Sequence, residues 1–200
     1  MRSGWKPEDR LDRAMQLFWE KGYYDTSIED LMQRTGLHRA AVYGEYGNKQ
    51  RLFEALLRRY REKITETRLA PLRALDAGFP QIVQFFGQFR EGAAAPANRF
   101  GCLMCLTAAE VAPHIRSVAR IVSSYLDDMR ALFRSAWLNA TARGEVRQSS
   151  DPEVVADYLV GAVLGLMALA RAPVPRSATT HYVDGVLSFL ESLRSKGGRA

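Results

Sequence analysis

The stretch Ser27 to Lys49, SIEDLMQRTGLHRAAVYGEYGNK, holds the residues whose types and spacing best suit chemistry on a nucleic acid. At helical spacing His38, Arg39, Ala40, Tyr43 and Gly44 share one face, while Val42 and Tyr46, four residues apart, share the other. The first face is small and polar, with one arginine and one tyrosine. A helix lies deep in a major groove only if its outer face is slim and carries hydrogen-bond donors, so this face reads as a DNA-recognition surface.

Cys102 and Cys105 are a second candidate. A spacing of three puts both thiols on one side of a helix. Cys102 falls in the first turn, where the helix dipole lowers a thiol pKa. One reading is a pair of sensor thiols; the other is two small hydrophobes in the core. Zinc is not expected, because no second C-x-x-C exists and His114 is the one imidazole nearby. A third group, Phe86, Phe89, Cys105, Tyr125, Met129 and Tyr158, would line an apolar effector pocket between helices, against the plainer reading of ordinary core. No Gly-rich phosphate loop, nucleophile elbow or paired histidine ligands stand out. Neither an enzyme nor a cofactor is expected.

These residues need helices to position them. Ser27 is an N-cap with Asp30 three residues on, a carboxylate variant of the capping box, and Gly36 is a natural helix stop. Pro7, Glu8 and Asp9 open an earlier helix with a stripe of Leu11, Ala14, Met15 and Phe18, closed by Gly22. After Gly47–Asn48, Lys49 opens a long helix with Leu52, Phe53, Leu56, Tyr60 and Ile64 on its apolar side. Further helices are expected over QIVQFFGQFRE, within FGCLMCLTAAEVAPH between Gly101 and Pro113, over His114–Arg143, the segment after Asp151–Pro152, and HYVDGVLSFLESLR. No alternating strand pattern rises above this background. The expected fold is all-α, with a three-helix DNA-binding domain at residues 1–50 and a larger helical effector-binding and dimerisation domain at residues 51–200. Residues 1–6, the GAAAPAN loop and the tail after Arg194 are expected to be irregular.

The last two long helices are the expected dimer interface. Gly161, Ala162 and Gly165 allow close approach, and Tyr158, Val186, Phe189 and Leu193 add apolar area. A two-fold pair would present two recognition helices about 34–36 Å apart, matching successive major grooves of a palindromic site.

The chain has 200 residues and a net charge of +6. The charge is unevenly placed: residues 1–50 hold eight basic and eight acidic side chains, whereas residues 51–68 hold six basic and three acidic. Charge alone is therefore weak support for a DNA partner, and the inference rests on motif and placement. Two cysteines cannot make a disulfide framework. The opening MRSGWKPEDR lacks the apolar core of a signal peptide, and no run of about 18 apolar residues suggests a membrane span, so the cytoplasm is the expected compartment.

The first 55 or so residues resemble the TetR family of bacterial regulators. The resemblance is carried by LDRAMQLFWEKGYYDTSIEDL, TGLHRAAVY and YGNKQRLFEAL, with Gly22–Tyr23, Thr26–Ser27, Gly36, Tyr43 and Lys49 at the family's positions. RFGCLMCLTAAEVAPH resembles a subgroup with a Gly-Cys-Leu helix start. The resemblance implies that Arg39 and Tyr43 face the groove, with Ser27, His38 and Lys49 near the sugar-phosphate backbone and Ala40 and Gly44 allowing close approach. It implies a homodimeric repressor released from double-stranded DNA by a small apolar effector or by thiol modification. Met32 and Thr35 stand where alanines are usual, His38 replaces a Ser or Thr cap, and Glu45 adds an acid. That acid and the neutral head also suit an alternative, a helical interaction module without specific DNA binding.

Overall fold

A computed structural model describes residues 7–92, 100–147 and 151–195. The expected arm at residues 1–6, most of the GAAAPAN loop and the tail beyond residue 195 lie outside them. The described residues form ten helices: α1 Pro7–Lys21, α2 Ile28–Thr35, α3 Arg39–Tyr46, α4 Lys49–Thr67, α5 Ala70–Arg73, α6 Phe79–Gly92, α7 Leu103–Glu110, α8 Arg116–Ala142, α9 Pro152–Arg171 and α10 Arg176–Ser192. Among them the extended pairing is a single isolated bridge, Val146 with Arg194. The fold is all-α, with an N-terminal helix-turn-helix followed by a larger set of helices.

By contacts the chain divides into two compact units, residues 1–63 with 102–124, and residues 64–101 with 125–200. In the first unit, Phe18, Tyr23 and Phe53 form the centre, with Phe18–Phe53 and Tyr23–Phe53 ring centroids 4.8 and 4.9 Å apart. Ala14, Leu17 and Phe18 of α1 are buried with Leu31 of α2, Val42 of α3 and Leu52, Leu56 and Leu57 of α4. Asp12 fastens α1 to α4 by accepting from Arg59 Nε at 2.8 Å and Lys63 Nζ at 2.7 Å. Partial burial raises the Asp12 pKa, but these two cations outweigh it and hold the carboxyl below its ordinary value. Where α8 begins, Ser117 Oγ donates to Glu54 Oε1 at 2.6 Å and accepts from Gln50 at 3.0 Å, so the buried Glu54 has partners.

In the second unit, Phe85 meets Phe86, Phe89 and Phe133 edge-on, each with centroids 5.2–5.3 Å apart. Helix α10 packs on α6 and α9. Gly101 has φ +67, and a Cβ there would stand 2.6 Å from the Met167 carbonyl oxygen. The residue before Cys102 must therefore be glycine both for its backbone angle and for the close approach of α9.

Helix α9 is by length and composition apolar enough to cross a bilayer, although no unbroken apolar run suggested it. Its Asp157 interrupts that character and pairs with Arg130 of α8. Val155, Leu159, Val163 and Leu166 are buried in the unit.

Candidate nucleic-acid interface

The turn between α1 and α2 is built from residues that each satisfy a backbone group. Gly22 closes α1 at φ +89, and its N–H donates to the Phe18 carbonyl at 2.8 Å. The fully buried Thr26 donates its hydroxyl to the Gly22 carbonyl at 2.6 Å. Ser27 then caps α2 reciprocally: its Oγ accepts from Asp30 N–H at 3.0 Å, and Asp30 Oδ2 accepts from Ser27 N–H at 2.9 Å. Lys21 Nζ also donates to Asp30 at 2.7 Å, the largest reason that this carboxyl lies far below its ordinary pKa. Thr35, which departs from the usual alanine, is buried and paired, donating to the Leu31 carbonyl at 2.6 Å and accepting from Leu37 N–H at 3.2 Å. Gly36 makes the left-handed stop at φ +68.

This frame holds α3 with Val42 buried and the opposite side open. His38 is the N-cap residue by backbone angle, without a side-chain capping bond. Arg39, Ala40, Tyr43 and Gly44 are exposed, and a Cβ built at Gly44 meets no atom within 4 Å. The five residues expected on the slim outer face therefore lie on one open surface. Two features escaped sequence reading. Glu29, in the first turn of α2, is ion-paired with Arg39 across the turn. Asn48, read as a chain break, caps α4 by accepting Arg51 N–H at 2.8 Å. Burial, and after it the hydrogen bond that Tyr46 Oη donates to Glu45 at 2.8 Å, pushes the Tyr46 phenol up to about 12.

The residues expected along the phosphates divide. Ser27 is exposed; its Oγ accepts from the Asp30 N–H and its hydroxyl also serves the Asp30 carboxylate. Lys49 is half-buried, with Nζ 4.5 Å from the Tyr23 ring centroid, and burial lowers its pKa while Glu110, Asp25 and Asp30 draw it back. Glu110 serves the same corner: its Oε1 accepts from Tyr24 N–H at 3.0 Å and its carboxylate sits on Gly22. An open polar cleft of about 440 Å³ runs along α1 and α2, but two of the cations lining it are already held, Lys21 by Asp30 and Arg34 by Glu20.

The thiols lie at the start of α7. Cys102 is its N-cap residue and is buried; Cys105 is half-buried. The Cys105 thiol donates to Cys102, and the Tyr60 hydroxyl and the Cys105 and Met104 N–H groups do the same; these donors outweigh burial and pull the Cys102 thiol below its ordinary value. The same contact pushes Cys105 up. Tyr60 Oη also accepts from Leu103 N–H at 3.3 Å. Sequence reading placed Tyr60 only on an apolar stripe; nothing in a spacing of 42 residues signals its link to the thiols.

The six residues expected to line an effector pocket do not form one set. Phe86, Phe89, Tyr125 and Met129 are buried in the second unit, whereas Cys105 belongs to the first. Tyr158 is 42% exposed and rests on Phe189, with centroids 4.6 Å apart, because its position on α9 turns it away from the phenylalanine cluster. The expected dimer set is also split. Tyr158, Gly161 and Phe189 are exposed and Leu193 is half-buried. Ala162 and Val186 are 3% and 4% exposed and fill the protomer's own core. Gly165 is closed by Tyr182, whose Oη would stand 2.7 Å from a Cβ there. Val154, 64% exposed, extends the open patch.

The sequence matches two family models, that of bacterial regulatory proteins of the tetR family over residues 11–56 and the tetracyclin repressor-like C-terminal domain over residues 78–185. It is 27% identical over 162 residues to the HTH-type transcriptional repressor ComR of Escherichia coli strain K12, covering 80% of this chain and 77% of that one. It is 28% identical over 182 residues to the HTH-type transcriptional regulator YezE of Bacillus subtilis strain 168, covering 90% and 94%. In fold it superposes on a cysteine mutant of the TetR family regulator CifR complexed with 26-bp double-strand operator DNA, at TM-score 0.81 and 23% identity over 94% of this chain and 98% of that one. With a capped helix-turn-helix at its N-terminus and both family models matched, the chain belongs to the tetR family of bacterial regulatory proteins and is a DNA-binding transcriptional regulator.

Proposed function

We propose that the protein is a homodimeric repressor that reads a palindromic operator through the open face of α3. The observation that carries this reading is the placement of Arg39, Ala40, Tyr43 and Gly44 together on the wet side of a helix whose other side is anchored by Val42. Arg39 pairs with a guanine edge, worth about 1–3 kcal/mol of discrimination, once it leaves Glu29. Tyr43 gives its hydroxyl to a phosphate or its ring to a thymine methyl, and Ser27, His38 and Lys49 line the sugar-phosphate backbone. Residues 1–50 carry DNA binding and residues 51–200 carry effector response and dimerisation, the latter through Val154, Tyr158, Gly161, Phe189 and Leu193. The molecule acts in the cytoplasm and has no catalytic role.

Release from DNA follows modification of Cys102 and Cys105, a reading favoured by the donors that converge on the Cys102 sulfur. A small apolar effector among the C-terminal helices is the second reading, favoured by the cluster of phenylalanine rings. Either signal works only by favouring the conformation that cannot bind DNA, moving α4 and with it the spacing of the two heads. A gel shift with the DNA upstream of the chain's own coding region, over a salt series, tests the proposal. A discrete complex that survives competition by unrelated DNA is expected. Equal affinity for both DNAs would instead favour a helical interaction module.

A further inference from the structure

We propose that Cys102 and Cys105 close into an intrahelical disulfide on exposure to a hydroperoxide, and that Tyr60 is the positioning residue that makes Cys102 the attacking sulfur. This deepens the reading of the protein as a thiol-released repressor and rests on it. Three observations meet here. The N-cap and the third residue of a helix face each other, as Ser27 and Asp30 do in the capping box of α2, and Cys102 and Cys105 hold that same relation in α7. The Tyr60 hydroxyl is fixed at this helix start by the Leu103 N–H at 3.3 Å, and its ring is held against Trp19 with centroids 5.3 Å apart. The chain has two cysteines, so an internal disulfide has one possible pairing.

The asymmetry of the pair assigns the roles. Cys102, as the N-cap residue, faces the Met104 and Cys105 N–H groups, which can only donate, together with the Tyr60 hydroxyl, whereas Cys105 lies one turn inside the helix. A thiolate is the nucleophile in such chemistry, and the sulfur that is hydrogen-bonded as an acceptor is the one that ionises. The Cys102 thiolate attacks one peroxide oxygen: an S–O bond forms and the O–O bond breaks. The sulfur is oxidised to a sulfenic acid, and the leaving oxygen takes a proton and departs as water or an alcohol. Cys105 then attacks the Cys102 sulfur; the S–S bond forms, the S–O bond breaks, and the Cys105 proton leaves with hydroxide as water. Burial of Cys102 keeps bulky thiols away, so the neighbouring Cys105 resolves the sulfenic acid. Residues three apart on a helix have Cβ atoms roughly 5–6 Å apart, and a disulfide holds its Cβ atoms about 3.5–4.5 Å apart, so closure needs a local adjustment of the first turn of α7. Tyr60 lies on α4, which is separated from the reading helix by two residues, so the hydroxyl beside the thiolate sits on the element next to the proposed DNA-reading one.

The test is treatment of the reduced full-length protein with hydrogen peroxide, followed by alkylation of free thiols and peptide mass measurement. The expected product is a peptide holding both cysteines that has lost two hydrogens and resists alkylation. In Cys105→Ser a sulfenic acid accumulates at Cys102 and is captured by a dimedone probe. Tyr60→Phe keeps the ring and the fold but slows oxidation at neutral pH at least about threefold and moves the midpoint of the pH–rate profile upward, a change that a purely structural hydroxyl would not cause. Thiols that stay reduced, or that end as separate sulfinic acids, overturn the proposal. A Tyr60→Phe profile that matches the parent overturns the role of Tyr60. If the disulfide forms as expected but the oxidised protein keeps its operator affinity, the pair chemistry stands and the thiol-release reading falls. If peroxide abolishes operator binding with no disulfide formed, release stands and this inference falls.

Discussion

Arg39 and Cys102 show how far a side chain's role depends on its neighbours. Arg39 is exposed as its helical position demands, yet it is engaged by Glu29, an acid ten residues earlier that no periodicity pairs with it. Exposed ion pairs of this kind are weak, commonly about 0–1 kcal/mol, so the pair with Glu29 is little obstacle to the DNA contact proposed for Arg39. Cys102 is the converse case: a buried thiol would ordinarily be inert, but the donors around it draw its pKa down. A depressed thiol pKa makes the reactive form predominate from a lower pH. The alkylation rate of Cys102 by a small reagent such as iodoacetamide is therefore expected to rise through a midpoint below the ordinary thiol value. A midpoint at the ordinary thiol value near 8.5 would remove the special environment of Cys102.

At the scale of elements, the helix-turn-helix is a set of caps before it is a reading surface. Ser27 and Asp30 satisfy each other's backbone N–H, and Lys21 ties the end of α1 to the same carboxylate. Ser27→Ala is expected to cost about 0.5–2 kcal/mol of stability, measured by denaturant unfolding. Because the folded-state pKa of Asp30 is depressed, its contribution is present above the unfolded carboxyl value and is lost as pH falls below about 4. Asp30→Asn is therefore expected to flatten the acid side of the pH–stability curve, and a variant with an unchanged acid limb would count against the cap. These caps were legible in the sequence, because N-cap chemistry is local: Ser27 with Asp30, Gly36, and Asp151 with Pro152 occupy the roles that their types suggest. Contacts between distant segments were not legible. Tyr60 with Cys102, Glu110 with Gly22 and Tyr24, and Gly101 with Met167 join residues separated by 42 to 88 positions, and one chain carries no sign of such pairings.

For the whole molecule, the question is what covers the open side of α9 and α10. Their apolar character was clear from the sequence, but which residues face inward was not, since an all-round apolar helix has no preferred face. Hence Ala162 and Val186 were expected in the interface and fill the core instead, while Tyr158 and Phe189 stack on the surface. A homodimer sealed by this patch is expected to dissociate when Phe189→Glu places a charge there. Analytical ultracentrifugation should then show the halved mass, with helical content retained. A Phe189→Glu protein that stays dimeric would place the interface elsewhere.

The central claim is that α3 reads DNA through Arg39. It is tested most directly by comparing the parent and Arg39→Ala for binding to operator and to unrelated DNA at fixed salt. Specific binding is expected to weaken at least about tenfold while non-specific binding changes little and the thermal midpoint is retained. An Arg39→Ala protein that binds operator as tightly as the parent would contradict the account.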